Sequence, residues 1–422
     1  MLNSISLTVA RRYLLGRQGL WPGRRWSGKN GTEQALRSLE SVQMDPLTVV
    51  ARSHDIVLWS RVASYQPAFL DALLYQDRAF FDYGGHLDIH PMDELSYWRL
   101  HMQRRLEHPR QATFAAENAA LLDQVRETVR SRGPLRNRDL AGNARVVSYR
   151  GRKDTGLALY HLWLTGELMT HSRRGFERLY DLAERIAPPT ARHDAAEPAA
   201  EHYFAVKALR QVGLGTVRNW SDKLFYPLHR RIDRRRAQQW LDELEATGEA
   251  LRVDVEGQRE PYYMSAVDAP LLADLHAGRV PEVWPPVEQT TDEEVTLLSP
   301  LDNLLDRLRT RALFDFEYVW EIYKPVQQRR WGAYTMPILY GDRLVARLNP
   351  RLDRAAGTLI INGFWPEDAG AIDNPAFAAA LARGLFRFAQ FVAARRIDIA
   401  AVNPASLRES VQGLIATYES TR

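Results

Sequence analysis

Apolar and polar residues alternate most clearly at the start of the stretch 41–62. Val42 and Met44 are apolar, whereas Gln43 and Asp45 are polar. Side chains two residues apart in a strand point to the same face of a sheet. The alternation therefore predicts a short strand that projects Gln43 and Asp45 together into a cleft.

The residues after Asp45 predict a helix. Pro46 has no N–H to give to a strand ladder, but it suits the first position of a helix, and aspartate is a favoured N-cap. From Leu47 to Val62 the apolar positions follow a helical spacing. From the spacing alone two interpretations stay open. In the first, Asp45 is only a helix cap and Gln43 lies on the solvent-facing side of an edge strand. In the second, the Asp45 carboxylate and the Gln43 amide form a functional site.

The same order of elements recurs along the first two thirds of the chain. A helix over residues 5–15 and a second one capped by Thr32 lead into the strand at Gln43, which is a helix-turn-helix layout. Around residue 160, the apolar segment Gly156–Leu164 predicts a recognition helix. A Thr-Gly-Glu tripeptide then opens a strand at 165–169.

A third copy of this order follows. Helices are predicted over residues 199–212 and 237–246, and the Thr-Gly-Glu tripeptide returns at 247–249 before a strand. An apolar helix followed by a strand, a turn and a returning strand is typical of a winged helix. The repetition therefore predicts tandem winged-helix units.

The pattern changes after residue 266. Prolines and an acidic run predict a linker over 267–295. Strands are then predicted at 337–340, 343–349 and 358–364, with a hairpin turn at Gly341-Asp342. The predicted fold class is α+β, with tandem winged-helix domains followed by a small antiparallel β-rich domain. The predicted domain limits are 1–108, 109–190, 191–266 and 296–422, with a terminal helix in the last.

Composition narrows the chemistry. The chain has no cysteine, which excludes thiol catalysis, disulfides and cysteine-ligated metal sites. Its 56 basic residues include only five lysines, at positions 29, 153, 207, 223 and 324. Arginine suits phosphate contacts through its planar fork. The alternative cause is a GC-rich genome, which favours arginine codons whatever the function.

Basic residues cluster in segments that suit contact with DNA. They crowd residues 126–153, the turn at 171–175 and the run 229–236, and they fill the first 29 residues, which lack acidic side chains. The alternatives are solvated faces for the clusters and an organellar presequence for the N-terminus. Continuity with the first domain favours a DNA-facing first helix. Apolar runs fall short of the ~20 residues that span a bilayer, so we expect a cytoplasmic protein.

Several common catalytic motifs are missing from the sequence. We find no phosphate-binding P-loop, dinucleotide fingerprint, HExxH or Gly-x-Ser-x-Gly sequence. Nucleotide hydrolysis, zinc-dependent hydrolysis and serine esterase chemistry are therefore without support.

Several segments resemble the AlkZ/YcaQ family of winged-helix DNA glycosylases, which unhook interstrand crosslinks. The likeness is carried by Gln43-Met44-Asp45, by residues 49–54 and 58–61, and by Pro-x-Asp, Glu-x-Tyr and Arg-x-x-Gly-x-Tyr elements within 297–354. An aromatic-Gly-His segment ending at His86 is also similar, although Gly84 stands where the family has a tryptophan. His86 is then either a packed loop histidine or a base.

The resemblance implies a monofunctional glycosylase of the Gln-x-Asp branch that removes N7-alkylated, cationic purines and unhooks interstrand crosslinks. Asp45 would stabilise the developing sugar cation and activate water, while Gln43 would orient the water or the sugar-phosphate. We expect no cofactor and no metal, and a bacterial, nucleoid-associated monomer bound to double-stranded DNA. The alternative is a non-catalytic winged-helix regulator. The predicted DNA-contacting residues are Arg52, His54, Arg61, Arg173, Arg174, Arg329 and Arg330.

Overall fold

The structure is a computed structural model that describes residues 4–147 and 150–420. Its contacts divide the chain into two compact units. Unit 1 contains residues 1–67, 209–219 and 241–422, and unit 2 contains residues 68–208 and 220–240. Both units are therefore built from segments that are distant in sequence, and the predicted consecutive domain limits stay predictions.

Helices account for much of the described chain, and those predicted around residues 5–15, 156–164, 199–212 and 237–246 are present. Among the described helices, none is both long and apolar enough to cross a membrane. The helices are α1 (Leu7–Arg17), α2 (Gly28–Leu39), α3 (Ser53–Trp59), α4 (Pro67–Tyr75), α5 (Leu95–Glu107), α6 (Pro109–Glu117), α7 (Ala119–Arg132), α8 (Asp154–Leu164), α9 (Ala183–Ile186), α10 (Glu197–Val212), α11 (Val217–Leu228), α12 (Arg234–Ala246), α13 (Ala269–His276), α14 (Arg307–Phe314), α15 (Ala369–Ile372), α16 (Pro375–Phe391) and α17 (Ala405–Ser420).

The strands are short outside the C-terminal region. They are β1 (Ser4–Ile5), β2 (Trp26–Ser27), β3 (Val42–Gln43), β4 (Val62–Ala63), β5 (Phe80–Tyr83), β6 (Asp88–Pro91), β7 (Ala144–Val147), β8 (Arg150–Lys153), β9 (Leu168–Arg174), β10 (Glu177–Leu182), β11 (Ala250–Val255), β12 (Tyr262–Ser265), β13 (Thr296–Leu297), β14 (Met336–Tyr340), β15 (Arg343–Asp353), β16 (Thr358–Pro366) and β17 (Arg396–Asp398).

Unit 1 is organised around a five-stranded sheet of order β13-β14-β15-β16-β17. The turn at Gly341 that joins β14 to β15 was predicted, and its φ of 58° is a conformation that glycine adopts without strain. The N-terminus belongs to this unit too, because β1 pairs in parallel with β11, and β11 pairs with β12. In α1, the buried Tyr13 hydroxyl donates to Asp268 at 2.8 Å, which ties the first helix to residues just before α13.

Unit 2 contains three antiparallel hairpins, β5–β6, β7–β8 and β9–β10. The order α8, β9, turn, β10 is the one predicted for the second winged unit. Aromatic rings fill its interior: Tyr83 lies 5.4 Å from Trp163 and 6.1 Å from Trp98, centroid to centroid. The hairpin β7–β8 was not predicted, and Ser148 and Tyr149 at its turn are outside the described residues.

Two predicted boundaries are wrong. Helix α2 begins at Gly28 rather than at Thr32, whose hydroxyl donates to the Gly28 carbonyl within the helix. The predicted linker 267–295 contains helix α13. Its apolar residues Leu272 and Leu275 are buried in the unit 1 core, so tertiary packing stabilises a helix that the flanking prolines obscure in the sequence.

Candidate active site

Gln43 and Asp45 lie where strand β3 ends. Val42 and Met44 are buried while Gln43 and Asp45 are partly exposed, so the predicted alternation of faces is confirmed. The strand is only two residues long, and Asp45 follows its end.

Asp45 does not cap a helix. One of its carboxylate oxygens accepts a hydrogen bond from the backbone N–H of Leu47 at 2.8 Å, a local turn that competes with helix formation. Helix α3 begins only at Ser53, after the N-cap residue Arg52. The predicted helix start at Leu47 is therefore wrong, and the carboxylate stands in a loop.

A side chain from the C-terminal sheet holds this loop. The guanidinium of Arg354, next to the end of β15, donates to the carbonyls of Thr48 and Val50 at 2.8 and 3.1 Å. Those carbonyls are thereby satisfied outside a helix, which is the physical reason why the segment does not need helical hydrogen bonds. Nothing in the local sequence signals a partner so far along the chain.

His54 supports Asp45 from the opposite side. Its side chain is 1% exposed, and its Nδ1 accepts a hydrogen bond from the backbone N–H of Asp45 at 3.3 Å. The predicted DNA contact of His54 is therefore wrong. The histidine instead fixes the backbone that carries the carboxylate.

The inner side of the site is formed by hydroxyl groups. Ser53, at the start of α3, hydrogen-bonds to Ser299. Burial raises the pKa of Tyr334, and the negative charge of Asp45 acts in the same direction. Tyr334 is therefore within electrostatic reach of Asp45.

Burial also shapes the acidity of Asp45 itself. It raises the pKa of the Asp45 carboxyl above its ordinary value, and the hydrogen bond from the Leu47 N–H offsets part of that rise. A carboxylate that is less well solvated is a stronger proton acceptor. The arrangement can therefore take a proton from water and stabilise positive charge.

The sequence model of the family described as DNA glycosylase AlkZ-like matches residues 36–391, a range that includes Gln43, Asp45 and the Tyr334 region. The chain belongs to the AlkZ-like DNA glycosylase family. It is therefore a DNA glycosylase, and the alternative of a non-catalytic regulator is wrong.

A solved structure agrees with the family at the level of fold. The DNA glycosylase AlkZ of Streptomyces sahachiroi is similar with a TM-score of 0.61 and 16% sequence identity. The match covers 94% of this chain and 99% of that chain. The chain thus has a mixed α and β fold similar to that of AlkZ over nearly its whole length.

Arg61 has a structural role in this glycosylase. Its side chain is 0% exposed and pairs with both carboxylate oxygens of Asp302, at 2.7 and 2.8 Å. Its other acceptors are the carbonyls of Gln18 and Val57 and the hydroxyl of Ser60. The predicted DNA contact of Arg61 is wrong, because every N–H donor of the guanidinium already has an acceptor inside the protein.

The two wing arginines have different surroundings. Arg173 is 5% exposed and pairs with the buried Asp82. It also donates to the Tyr75 hydroxyl and to the Phe176 carbonyl. Arg174 is exposed at the hairpin turn. Burial and pairing contradict the predicted DNA contact of Arg173, whereas that of the exposed Arg174 stays a prediction.

The remaining predicted DNA-contacting residues lie in unit 1. Arg52 is partly exposed at the start of α3. Arg329 is partly buried and donates to the carbonyls of Lys324 and Ile322 at 2.9 and 3.2 Å. Arg330 is exposed and lies over the ring of Trp331. DNA contact by these residues stays a prediction.

The basic cluster at 126–153 is less positive than its sequence suggests. Arg126 pairs with Glu167, Arg136 with Asp139, and Arg138 with Glu177. Arg150 and Arg152, also counted in the cluster, have side chains outside the described part of the chain. Much of this surface is thus a network of solvated ion pairs, as the alternative interpretation held.

His86 belongs to unit 2, in the turn between β5 and β6. It is exposed, and its ring stacks on Tyr226 with 5.2 Å between centroids. The Tyr226 hydroxyl in turn accepts a hydrogen bond from the Gly85 N–H at 2.6 Å. His86 therefore has a ring partner within its own unit.

Sequence reasoning assigned no role to Tyr334, Ser299, Asp302 or Arg354. The first three lie in or beside the Arg-x-x-Gly-x-Tyr and Pro-x-Asp elements that resemble the family, so a signal was present. What the sequence could not show is that Tyr334 and Arg354 reach the loop of Asp45.

Proposed function

We propose that this glycosylase hydrolyses the N-glycosidic bond of N7-alkylated, cationic purines and unhooks interstrand crosslinks formed through them. Alkylation at N7 gives the base a positive charge, so the base leaves without prior protonation. The enzyme then needs only to stabilise the sugar cation and to supply a water nucleophile. Crosslinked bases are substrates in this proposal because the chemistry acts at the sugar.

The observation that carries the proposal is the setting of Asp45. The carboxylate is partly exposed, while the Asp45 backbone is fixed by His54 and one carboxylate oxygen is bound by the Leu47 N–H. Its second oxygen is the one proposed to face the sugar and the attacking water. Gln43 lies two residues before Asp45 and is also partly exposed. Its side-chain amide, which donates and accepts hydrogen bonds at once, is proposed to orient that water.

We propose a monofunctional reaction that leaves an abasic site. An enzyme that also cuts the strand needs an amine to form an imine with the sugar. The chain has no lysine between Lys29 and Lys153. Lys324 donates to Glu321 at 2.9 Å, and Lys207 is buried against Glu94 at 2.6 Å. These placements favour water over an amine as the nucleophile.

The helix and hairpin units are proposed to act as tandem winged helices that grip the duplex through phosphates. Arg174, Arg52 and Arg330 are the proposed contacts. We further propose that the enzyme acts as a monomer on DNA in the bacterial cytoplasm, at the nucleoid, because its substrate is there. Electrostatic contacts of this kind make affinity strongly dependent on salt.

The deciding experiment uses duplexes that carry N7-methylguanine or a nitrogen-mustard crosslink. The purified protein is incubated with each duplex, and alkali-labile abasic sites and strand separation are measured. Release of the alkylated base and unhooking of the crosslink are expected. Absence of release from both duplexes, with intact protein, would contradict the proposed substrate class.

A further inference from the structure

A loop of unit 1 exposes a large aromatic side chain. Tyr323 is 86% exposed, and its loop, residues 321–330, leads into the segment that contains Tyr334. The ring meets Trp320 edge-on, with 5.7 Å between centroids, so the rest of its surface is open to solvent and available for contact with a partner. The exposure therefore points to a binding surface.

The base of this loop is held from both sides. The buried Glu321 carboxylate accepts hydrogen bonds from the backbone N–H groups of Trp331 and Gly332, at 2.8 and 3.3 Å, and from Lys324 at 2.9 Å. Burial would raise the pKa of Glu321, but these hydrogen bonds outweigh it and lower the pKa to about 2. Arg329 ties the same loop together through two backbone carbonyls. The Tyr323 ring is therefore presented by an ordered backbone, which lowers the entropic cost of binding.

Beside the loop, cationic and aromatic side chains form one continuous stack. The guanidinium of Arg330 lies 4.6 Å from the Trp331 ring, and that of Arg347 lies 4.0 Å from the same ring and 4.1 Å from Phe316. Arg347 is 1% exposed, whereas Arg330 is exposed. The stack fixes a positive group on the surface at the end of the loop that carries Tyr323.

The charge of the loop identifies the kind of partner. Its single acidic residue, Glu321, is buried and engaged, while Arg330 faces solvent. A ring flanked by arginine complements a polyanion that also offers flat π faces, which describes nucleic acid. An ordinary protein partner would not require the positive charge.

The loop is continuous with the site of Asp45. Glu321 binds the backbone N–H groups of Trp331 and Gly332. Tyr334, two residues further on, is within electrostatic reach of Asp45. All of these residues belong to unit 1, and the proposal places this loop against the duplex whose sugar reaches Asp45.

We propose that Tyr323 is a base-stacking residue, whose ring inserts against a nucleobase of the duplex next to the lesion while Arg330 contacts a phosphate. This inference rests on the proposed function. A crosslinked base cannot leave the duplex freely, so the cost of local unstacking must be offset without full base flipping. An aromatic side chain inserted at the opened step stabilises the distorted duplex.

The test compares Tyr323→Ala, Tyr323→Phe and Arg330→Ala in the full chain, each in an Asp45→Asn background that keeps the substrate intact. Leu308→Ala, which truncates a side chain 51% exposed on α14, is the matched control. Affinity is measured for an N7-methylguanine duplex with 2-aminopurine beside the lesion, at several salt concentrations. The 2-aminopurine fluorescence reports stacking, and thermal unfolding checks that every variant is folded.

Tyr323→Ala is expected to weaken binding by about 5- to 150-fold, the range of base–aromatic stacking, and to abolish the change in 2-aminopurine fluorescence. It should leave the slope of log affinity against log salt unchanged, because stacking releases no counterions. Tyr323→Phe and Leu308→Ala should bind like the parent. Arg330→Ala should reduce the salt slope by about 0.9.

Parent-like affinity and fluorescence for Tyr323→Ala would overturn the inference. If the wild-type protein excises the alkylated base in that case, the proposed function stands and only the role of Tyr323 falls. A fluorescence change that survives Tyr323→Ala would also overturn it, because another group would then cause the unstacking.

Discussion

At the residue scale, the chemistry of the site is concentrated in one partly exposed carboxylate whose backbone is immobilised. His54 and the Leu47 N–H hold Asp45 from two sides, while Tyr334 closes the inner side. Such positioning lowers the reorganisation that a proton transfer or charge stabilisation requires. Under the proposed function such a site is sufficient, because a cationic leaving group needs no protonation before it leaves.

Asp45→Asn is expected to reduce single-turnover excision of N7-methylguanine by about 10²–10⁴-fold, because the amide neither takes a proton nor stabilises a cation. DNA affinity should stay close to that of the wild type. Asp373→Asn, at an exposed position, is the matched control and should retain activity. Wild-type excision by Asp45→Asn would return the residue to a structural role.

The pH dependence of excision should carry the signature of the same carboxylate. Burial raises the pKa of Asp45, and the ionised form is the active one, so the rate should fall as pH drops through a value above the ordinary ~3.9 of an aspartate. The contribution of Asp45 to folding stability changes with pH in the opposite direction to the excision rate. A raised folded-state pKa contributes stability at low pH that is lost as pH rises through that pKa.

Single-turnover rates across pH and urea unfolding of wild type and Asp45→Asn test both statements. The variant should lack the acid limb set by this group, and its stability at neutral pH should be equal to or greater than that of the wild type. An unchanged acid limb in the variant's residual activity would assign the titration to another group.

At the scale of elements, the hairpin β9–β10 separates two neighbouring arginines into different roles. Arg173 neutralises Asp82 inside unit 2, while Arg174 stands at the exposed turn. Burial would raise the pKa of Asp82, but Arg173 and Arg178 lower it. The stability that this pair contributes is therefore present at neutral pH and lost as pH falls.

Arg174→Ala should weaken binding to damaged and undamaged duplex alike and reduce the slope of log affinity against log salt by about 0.9. Arg173→Ala should instead destabilise the fold, by up to about 3–5 kcal/mol, because the buried Asp82 then keeps only the longer 3.6 Å ion pair with Arg178. Salt-dependent binding and urea unfolding of the two variants distinguish the roles. A wild-type salt slope for Arg174→Ala would show that this turn does not contact DNA.

At the scale of the whole molecule, the enzyme combines arginine-rich surfaces with a site that lacks an obvious acid for the leaving base. Selectivity should therefore come from the charge of the lesion rather than from its shape. The same logic separates this enzyme from glycosylases that must protonate a neutral base before it can leave.

The enzyme should excise N7- or N3-alkylated purines and leave uracil in place. Borohydride should trap no enzyme–DNA adduct, because water rather than an amine attacks the sugar. Gel analysis of matched duplexes, with and without borohydride, measures both properties. Efficient uracil release would contradict the charge argument, and a trapped adduct would point to one of the five lysines or the N-terminus.

The sequence by itself determined the features that depend on local periodicity and composition. The alternation at Val42–Asp45, the hairpin turn at Gly341 and the apolar helix before the strand at Leu168 all follow from near neighbours along the chain. Resemblance to a known family supplied the activity, which periodicity alone left open.

Only the tertiary structure decided which charged side chains face solvent. Arg61 is closed off by Asp302, and Asp45 stands in a loop rather than on a helix because Arg354 satisfies the carbonyls of that loop. These partners lie hundreds of residues away in sequence. The residues next to an arginine in the sequence look the same whether its side chain is ion-paired in the interior or exposed to solvent. Burial and pairing are properties of the folded neighbourhood, so no local signal could have determined them.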